Sequence, residues 1–148
     1  RTRAFRELRL TAALFEQGLP VPRPVAGCVT RYGLTYEAAL ITVRITGAKA
    51  LAELLVNDQA DEALLHRVGG MIRRFHQAGL DHVDLNARNI LVDPSGAPWL
   101  IDLDRCRLRA AGEWQEGNLA RLERSLGKFL AKPSSVELMG RILQGYRY

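Results

Sequence analysis

The sequence predicts an α+β fold with a mostly helical carboxyl-terminal part, and three features carry that expectation. Apolar residues recur at helix spacing over Asp61–Ala78 and Gln115–Leu130. Two strand-like runs, Val25–Thr30 and Leu34–Ile45, flank a turn at Arg31-Tyr32-Gly33. A third feature is the tight link Asp93-Pro94-Ser95-Gly96 between two more short strands. The 148 residues suffice for one domain with a real core and are too few for two ordinary ones.

The elements follow in order. Arg3–Gln17 reads as a helix, with Phe5, Leu8, Ala12 and Phe15 at helix spacing and Gly18 as its stop. Leu19-Pro20-Val21-Pro22-Arg23-Pro24 must be extended, because proline withholds N–H donors and fixes φ. After the two strands, Gly47 breaks the pattern and Ala50–Leu55 reads as a short helix. The helix Asp61–Ala78 carries its apolar stripe on Leu64, Leu65, Val68, Met71, Ile72 and Phe75, and Gly79 ends it. Gly69-Gly70 inside it costs about 1 kcal/mol per residue relative to alanine, which marks either a close-packing point or a weak spot. Ile90–Val92 and Pro98–Leu103 read as strands about a type I turn, with Asp first, Pro second and Gly last. The helix Gln115–Leu130 turns Leu119, Leu122, Leu126 and Phe129 inward, and a final helix runs near Val136–Tyr146.

Composition excludes several classes. Apolar residues make up 47% and charged residues 25%, as in water-soluble globular folds. No run approaches the ~18 apolar residues of a membrane span, and no segment has the order of a signal peptide. Cys28 and Cys106 stand outside any metal-ligand spacing, so reduced thiols are expected. The net charge of +5 is unevenly spread. Residues 1–50 carry 8 basic and 3 acidic side chains, 51–104 carry 4 and 9, and 105–148 carry 9 and 4. This pattern reads either as solvated surface or as an acidic, cation-holding centre between basic segments that attract an anion. No helix-turn-helix, zinc or RNP-type signature supports nucleic-acid binding.

The chemistry concentrates in His82-Val-Asp-Leu-Asn-Ala-Arg-Asn89 and Leu100-Ile-Asp-Leu-Asp104. An antiparallel hairpin through Asp93–Gly96 brings Asn89 and Asp102 to the same end, with Asp84 in the loop that enters it, so the three groups are expected to converge in one cleft. Asp and Asn oxygens are hard ligands suited to Mg²⁺, which keeps few protein ligands and completes its shell with water and phosphate oxygens. H-x-D-x-x-x-x-N is the catalytic-loop spacing of the kinase fold, and Asp102 takes the place of that fold's second metal-binding Asp. Asp84 is then the group that orients or deprotonates an attacking hydroxyl, with Asn89 and Asp102 as metal ligands. His82 is expected to pack under the loop. Asp104 either tightens the metal site or pairs with Arg88 or Arg105.

These residues carry a family resemblance. The stretches His82–Val92, Trp99–Arg105 and Trp114…Asn118–Lys128 resemble the 3-deoxy-D-manno-octulosonic acid (Kdo) kinases of the lipopolysaccharide-kinase branch of the protein-kinase-like superfamily. Gly18–Ala26, Gly33–Tyr36 and Gly47–Leu55 match as well, so the similarity extends from residue 3 to about 130. The resemblance implies ATP- and Mg²⁺-dependent phosphorylation of a Kdo hydroxyl on a lipid A precursor. The work would be done at the anionic cytoplasmic face of the inner membrane of a Gram-negative bacterium, by a peripheral protein. It implies that Glu7 is the helix glutamate that pairs with a lysine of the amino-terminal lobe. It also makes Thr42–Ile45 the connector between lobes, with Val43 and Ile45 offering backbone groups to adenine. Residues 1–41 would be a residual amino-terminal lobe, 42–46 the hinge and 47–148 the carboxyl-terminal lobe.

One departure stands out. Complete relatives of this kind have a glycine-rich strand pair and the pairing lysine ahead of the glutamate helix, and here Lys49, Lys128 and Lys132 all follow Glu7. A fragment of a longer kinase is the expectation. The alternatives are a phosphotransferase with another small-molecule acceptor and a non-catalytic kinase-like binding module. On the acceptor side, Arg105, Arg107 and Arg109 are the first candidates to grip a carboxylate or phosphate, with Arg121 and Arg124 on the following helix.

Overall fold

The computed structural model describes residues 3–32, 35–131 and 134–148, without the side chains of 26–41. Gly33, in the expected turn, and Lys132-Pro133, before the last helix, lie outside the described residues. Helix α1 (Arg3–Glu16) ends at Gly18, whose φ of +78° lets the Leu19 N–H reach back to the Leu14 carbonyl at 3.1 Å. Strands β1 (Pro24–Tyr32) and β2 (Thr35–Thr42) form an antiparallel pair, with an irregularity between Pro24 and Ala26. The second strand stops three residues short of the expected Ile45. There the Val43 N–H turns to the Arg23 carbonyl at 2.8 Å, and the chain leaves the sheet as a connector.

A second sheet has the order β3-β5-β6, built from Lys49–Ala50, Ile90–Val92 and Pro98–Leu100. Its hairpin register pairs Ile90 with Leu100 and Val92 with Pro98. Asp93 holds the turn: its N–H bonds the Ala97 carbonyl at 3.0 Å, and its carboxylate accepts from Ser95, Ala97 and the Trp99 indole. Burial pushes that carboxyl's pKa up, but the bonds from Ser95, Trp99 and Ala97 win and hold it at about 2. The strand expected to reach Leu103 ends at Leu100, because Asp102 takes a φ of +62° that no extended chain can contain.

Helices α2 (Leu51–Val56) and α3 (Glu62–Gln77) follow β3, and Asp61 caps α3 by accepting the Leu64 N–H at 2.8 Å. Strand β4 (Leu80–Asp81) pairs with β7 (Arg107–Leu108), a two-residue ladder that periodicity does not signal. Gly79 makes the turn between α3 and β4 possible. Its φ is +88°, and a Cβ there would stand 2.8 Å from the Arg109 carbonyl. Helices α4 (Trp114–Phe129) and α5 (Ser134–Arg147) complete the chain.

The core runs through α2 to α5 and the hairpin, with Leu51, Leu65, Phe75, Leu85, Ile90, Leu100, Leu122 and Ile142 almost wholly enclosed. Leu14, Leu19 and Val21 join it, so the amino-terminal segment is packed into the same interior. The Leu100 N–H bonds the Pro20 carbonyl at 2.9 Å, which fastens that segment to the hairpin.

The stripe on α1 differs from the expected one. Phe5 and Phe15 are exposed, and the enclosed face carries Ala4, Thr11 and Leu14, with Glu7 on the same turn positions. A hydrophobicity count overlooks that face because two of its members are polar.

Candidate active site

The hairpin ladder continues one step past β5 and β6: the Ile101 N–H donates to the Asn89 carbonyl at 3.0 Å. Asn89 and Asp102 therefore stand at the same end of the hairpin, as the turn chemistry predicts. The loop before β5 is folded around one carbonyl. The Asp84 oxygen accepts from Asn86 Nδ2 at 3.1 Å and from Asn89 Nδ2 at 2.9 Å. A carbonyl only accepts, so the Asn89 atom facing it is the NH₂ group, and Oδ1 keeps its lone pairs for another partner. Asn86 Oδ1 accepts the Arg88 N–H at 2.8 Å and the Asn89 N–H at 3.2 Å, which closes the loop as an Asx turn.

His82 joins the two halves of this arrangement. It is 2% exposed; its Nε2 is 3.0 Å from the Ile101 carbonyl and its Nδ1 accepts the Asp84 N–H at 3.3 Å. Only the Nε2–H tautomer satisfies both contacts. Burial lowers the pKa of the ring, against the raising effects of the Ile101 bond, Asp102 and Asp84. The histidine thus packs beneath the loop and ties Asp84 to the residue before Asp102.

Asn118 on α4 was outside the residues singled out by spacing, yet it organises the loop's beginning. Its Oδ1 accepts the His82 N–H at 3.1 Å and faces His76 Nε2 at 3.1 Å, while its Nδ2 donates to Asp81 at 2.9 Å. Tyr146 on α5 closes the chain at 2.7 Å from His76 Nδ1. Ser125, two turns further along the same face of α4, accepts the Ala87 N–H at 3.0 Å. The Ala87 carbonyl in turn accepts the Ala52 N–H at 2.9 Å, so α2 and α4 grip the loop through a single residue.

Two cavities flank the hairpin end. The larger, about 400 Å³, is bounded by Glu7 and Thr11 of α1, the connector Thr42–Ile45, and Ile101-Asp102-Leu103. Val43 and Ile45 line it, with the Val43 N–H already bonded to Arg23 and the Ile45 carbonyl accepting the Ala48 N–H at 3.3 Å. Burial raises the Glu7 pKa, and the charges of Asp104 and Asp102 raise it further; the Leu103 N–H and Arg3 pull the other way. A cation brought into this cleft would favour the ionised carboxylate. Among the described residues no three His, Cys, Asp or Glu side chains converge on a metal position. An Asn–Asp pair fits Mg²⁺ without such a cage, because that ion is held through one or two protein oxygens plus water and phosphate.

The second cavity, about 200 Å³, is bounded by Asp84 with Asn86, Arg88, Arg121, Arg124 and Lys128, over Phe129, so Asp84 and Asp102 border two separate cavities where the sequence predicts one shared cleft, and Asn89 lines neither. The structure does not bring Arg105, Arg107 or Arg109 to it. Arg109 instead bonds Asp81 at 2.9 Å, a contact that secures β4 against β7. Arg107 sits exposed in β7, and Arg105, also exposed, lies 3.9 Å from Asp104. Asp104 does pair, but mainly with Arg3 of α1, whose Nε is 3.1 Å from Oδ1 and whose second nitrogen meets Oδ2. That partner lies 101 residues away, beyond the reach of a local reading, and Arg88 turns to Phe129 instead. Cys106 is a free thiol whose pKa burial pushes up to about 12.

Comparison with known proteins gives this geometry a context. The chain is 50% identical over 135 residues to a 3-deoxy-D-manno-octulosonic acid kinase of Xylella fastidiosa (strain M12), covering 90% of this chain and 54% of that protein. It is 51% identical over 129 residues to the kinase of the same name from Xanthomonas campestris pv. campestris (strain B100), covering 86% and 51%. The chain therefore spans about half the length of the curated relatives it matches. A solved structure of a divergent Toxoplasma kinase lacking the glycine-rich loop aligns at 15% identity with a TM-score of 0.46, over 90% of this chain and 55% of its own. The family description "Lipopolysaccharide kinase (Kdo/WaaP) family" matches residues 1–146, and the chain belongs to that family.

Proposed function

We propose that this chain is the catalytic part of an ATP-dependent kinase that phosphorylates a Kdo hydroxyl on a Kdo–lipid A precursor. The observation that carries the reading is the shared hairpin end: Asn89 is bonded through Nδ2 to Asp84, and through its carbonyl to the residue preceding Asp102. A general base and two hard ligands at that separation in sequence are what phosphoryl transfer asks of a protein. The names of the relatives support Kdo as the acceptor.

In this reading the larger cleft receives the nucleotide. The Val43 carbonyl and the Ile45 N–H meet the purine edge, since the Val43 N–H is already engaged. Asn89 Oδ1 and Asp102 would hold Mg²⁺, which would supply charge neutralisation at the phosphate oxygens. Glu7 stands across the cleft as the residue that positions a phosphate-binding lysine. Asp84 faces the other cavity and takes the proton of the acceptor hydroxyl as its oxygen bonds to the γ-phosphorus. The bond from that phosphorus to the bridging oxygen breaks, and ADP leaves with the electron pair. Among the described residues no helix is long and apolar enough to cross a membrane. The reading takes attachment at the inner face to be peripheral, drawn by exposed basic residues at about 1 kcal/mol each.

The test is transfer of labelled γ-phosphate from ATP to a Kdo-bearing lipid A precursor, with an aminoglycoside and a protein as rival acceptors. Asp84→Ala is expected to lower transfer about 10³-fold while nucleotide affinity stays within about two-fold. Near-normal turnover in that variant removes Asp84 from the chemistry.

A further inference from the structure

The cavity beside Asp84 carries more positive charge than its local structure needs. Arg121, Arg124 and Lys128 stand on α4 at i, i+3 and i+7, which places them along one face. Arg88 approaches from the loop, its guanidinium carbon 5.4 Å from the Phe129 ring centre. Among the described residues none of these four cations forms an ion pair, although Glu116 and Glu123 lie on the same helix. Like charges around one hollow repel, and an anion seated there removes the repulsion. The face is also held in register with the loop, because Ser125 accepts the Ala87 N–H and donates to the Leu122 carbonyl.

We infer that this pocket is the acceptor subsite, in which Arg88, Arg121, Arg124 and Lys128 bind an anionic group of the acceptor, a carboxylate or a phosphate, and set its hydroxyl against Asp84. The inference rests on the kinase reading and assigns acceptor choice to α4 instead of the Arg105–Arg109 segment. Guanidinium forks match both anions in two-point contacts. The hollow measures about 200 Å³, half the larger cleft's roughly 400 Å³, which fits a compact anionic group.

The experiment uses the protein as the cell makes it, in steady-state phosphorylation of the Kdo-bearing lipid A precursor. Arg121→Gln and Arg124→Gln are each expected to raise the KM for the acceptor about 10-fold or more, with the KM for ATP within about two-fold. Arg124→Lys should recover part of the loss, since it restores charge without the fork. Two modified acceptors separate the sources of the anion: one with its Kdo carboxylate methyl-esterified, one stripped of its lipid A phosphates. The anion that the pocket reads is the one whose removal harms the unaltered protein but does no additional harm in Arg121→Gln.

An unchanged acceptor KM in both glutamine variants overturns the inference, as does a KM rise confined to Arg105→Gln and Arg107→Gln. Should the unaltered protein transfer no phosphate to any Kdo acceptor, the kinase reading fails on its own account. The pocket is then judged by calorimetry with Kdo and with inorganic phosphate. Binding weakened about 10-fold in Arg121→Gln supports it, and equal or absent binding overturns it.

Discussion

Asp102 holds a left-handed backbone, in which the Cβ of an L-residue crowds the following carbonyl at a cost of roughly 1 kcal/mol. Glycine there would relax the chain and delete the carboxylate. Asp102→Gly is expected to raise unfolding stability by up to about 1 kcal/mol in urea titrations, with loss of transfer. A variant that is more stable and still active would remove the Asp102 carboxylate from the chemistry.

At this scale the sequence was legible where partners are near in the chain. Asp84 and Asn89 lie five residues apart, and a recognisable turn determines where Asp102 falls. Asn118, Ser125 and Arg3 were not legible as site residues. Their bonds to His82, Ala87 and Asp104 span 36, 38 and 101 residues, and nothing local announces them.

Among the elements, helices α3 and α5 pack backbone against backbone at two glycines. A Cβ on Gly69 would stand 1.9 Å from the Ile142 carbonyl, and one on Gly145 would stand 1.9 Å from that of His66. Neither helix can yield there without a shift of its backbone. Gly70, the neighbour, would meet nothing nearer than 3.9 Å. Gly69→Ala is therefore expected to destabilise by about 3 kcal/mol through overpacking, and Gly70→Ala to stabilise by up to about 1 kcal/mol through helix propensity. Thermal unfolding of the two variants side by side checks both signs. The pair that spacing leaves open as either a packing point or a weak spot is thus one of each.

Long helices with apolar stripes were readable because period and burial coincide. The ladder of β4 with β7 was not, since two residues hold no period. The face of α1 was misjudged for a related reason: its enclosed positions include Glu7 and Thr11, which serve the cleft.

Over the whole molecule, two buried histidines couple folding to pH. Burial lowers the pKa of His76, against the raising effects of Asn118 and Asp81, and it lowers that of His82. Both rings are held neutral in the fold, with Nε2 donating and Nδ1 accepting. The unfolded chain binds these protons more readily, near pH 6.5, so the stabilisation is complete above that pH and is lost as pH falls through the folded values. The urea midpoint is expected to drop between pH 7.5 and 5.5, and His76→Gln should shrink the drop.

Charge along the sequence is regrouped in space at the same scale, since Glu7 comes from the basic first block and Arg88 from the acidic middle one. Glu7 and Asp102 border the larger cleft together with Arg44, while Arg88, Arg121, Arg124 and Lys128 border the smaller together with Asp84. Their signs were visible in the sequence; their separation into two chambers was not.

The grip of two helices on Ala87 has a practical corollary. Because a serine hydroxyl and a backbone carbonyl make that attachment, the basic side chains of α4 are not needed to hold the loop in place. Their identities can be exchanged for others without dismantling the apparatus behind them, which makes this helix the place to begin when the smaller cavity is to be given a different charge.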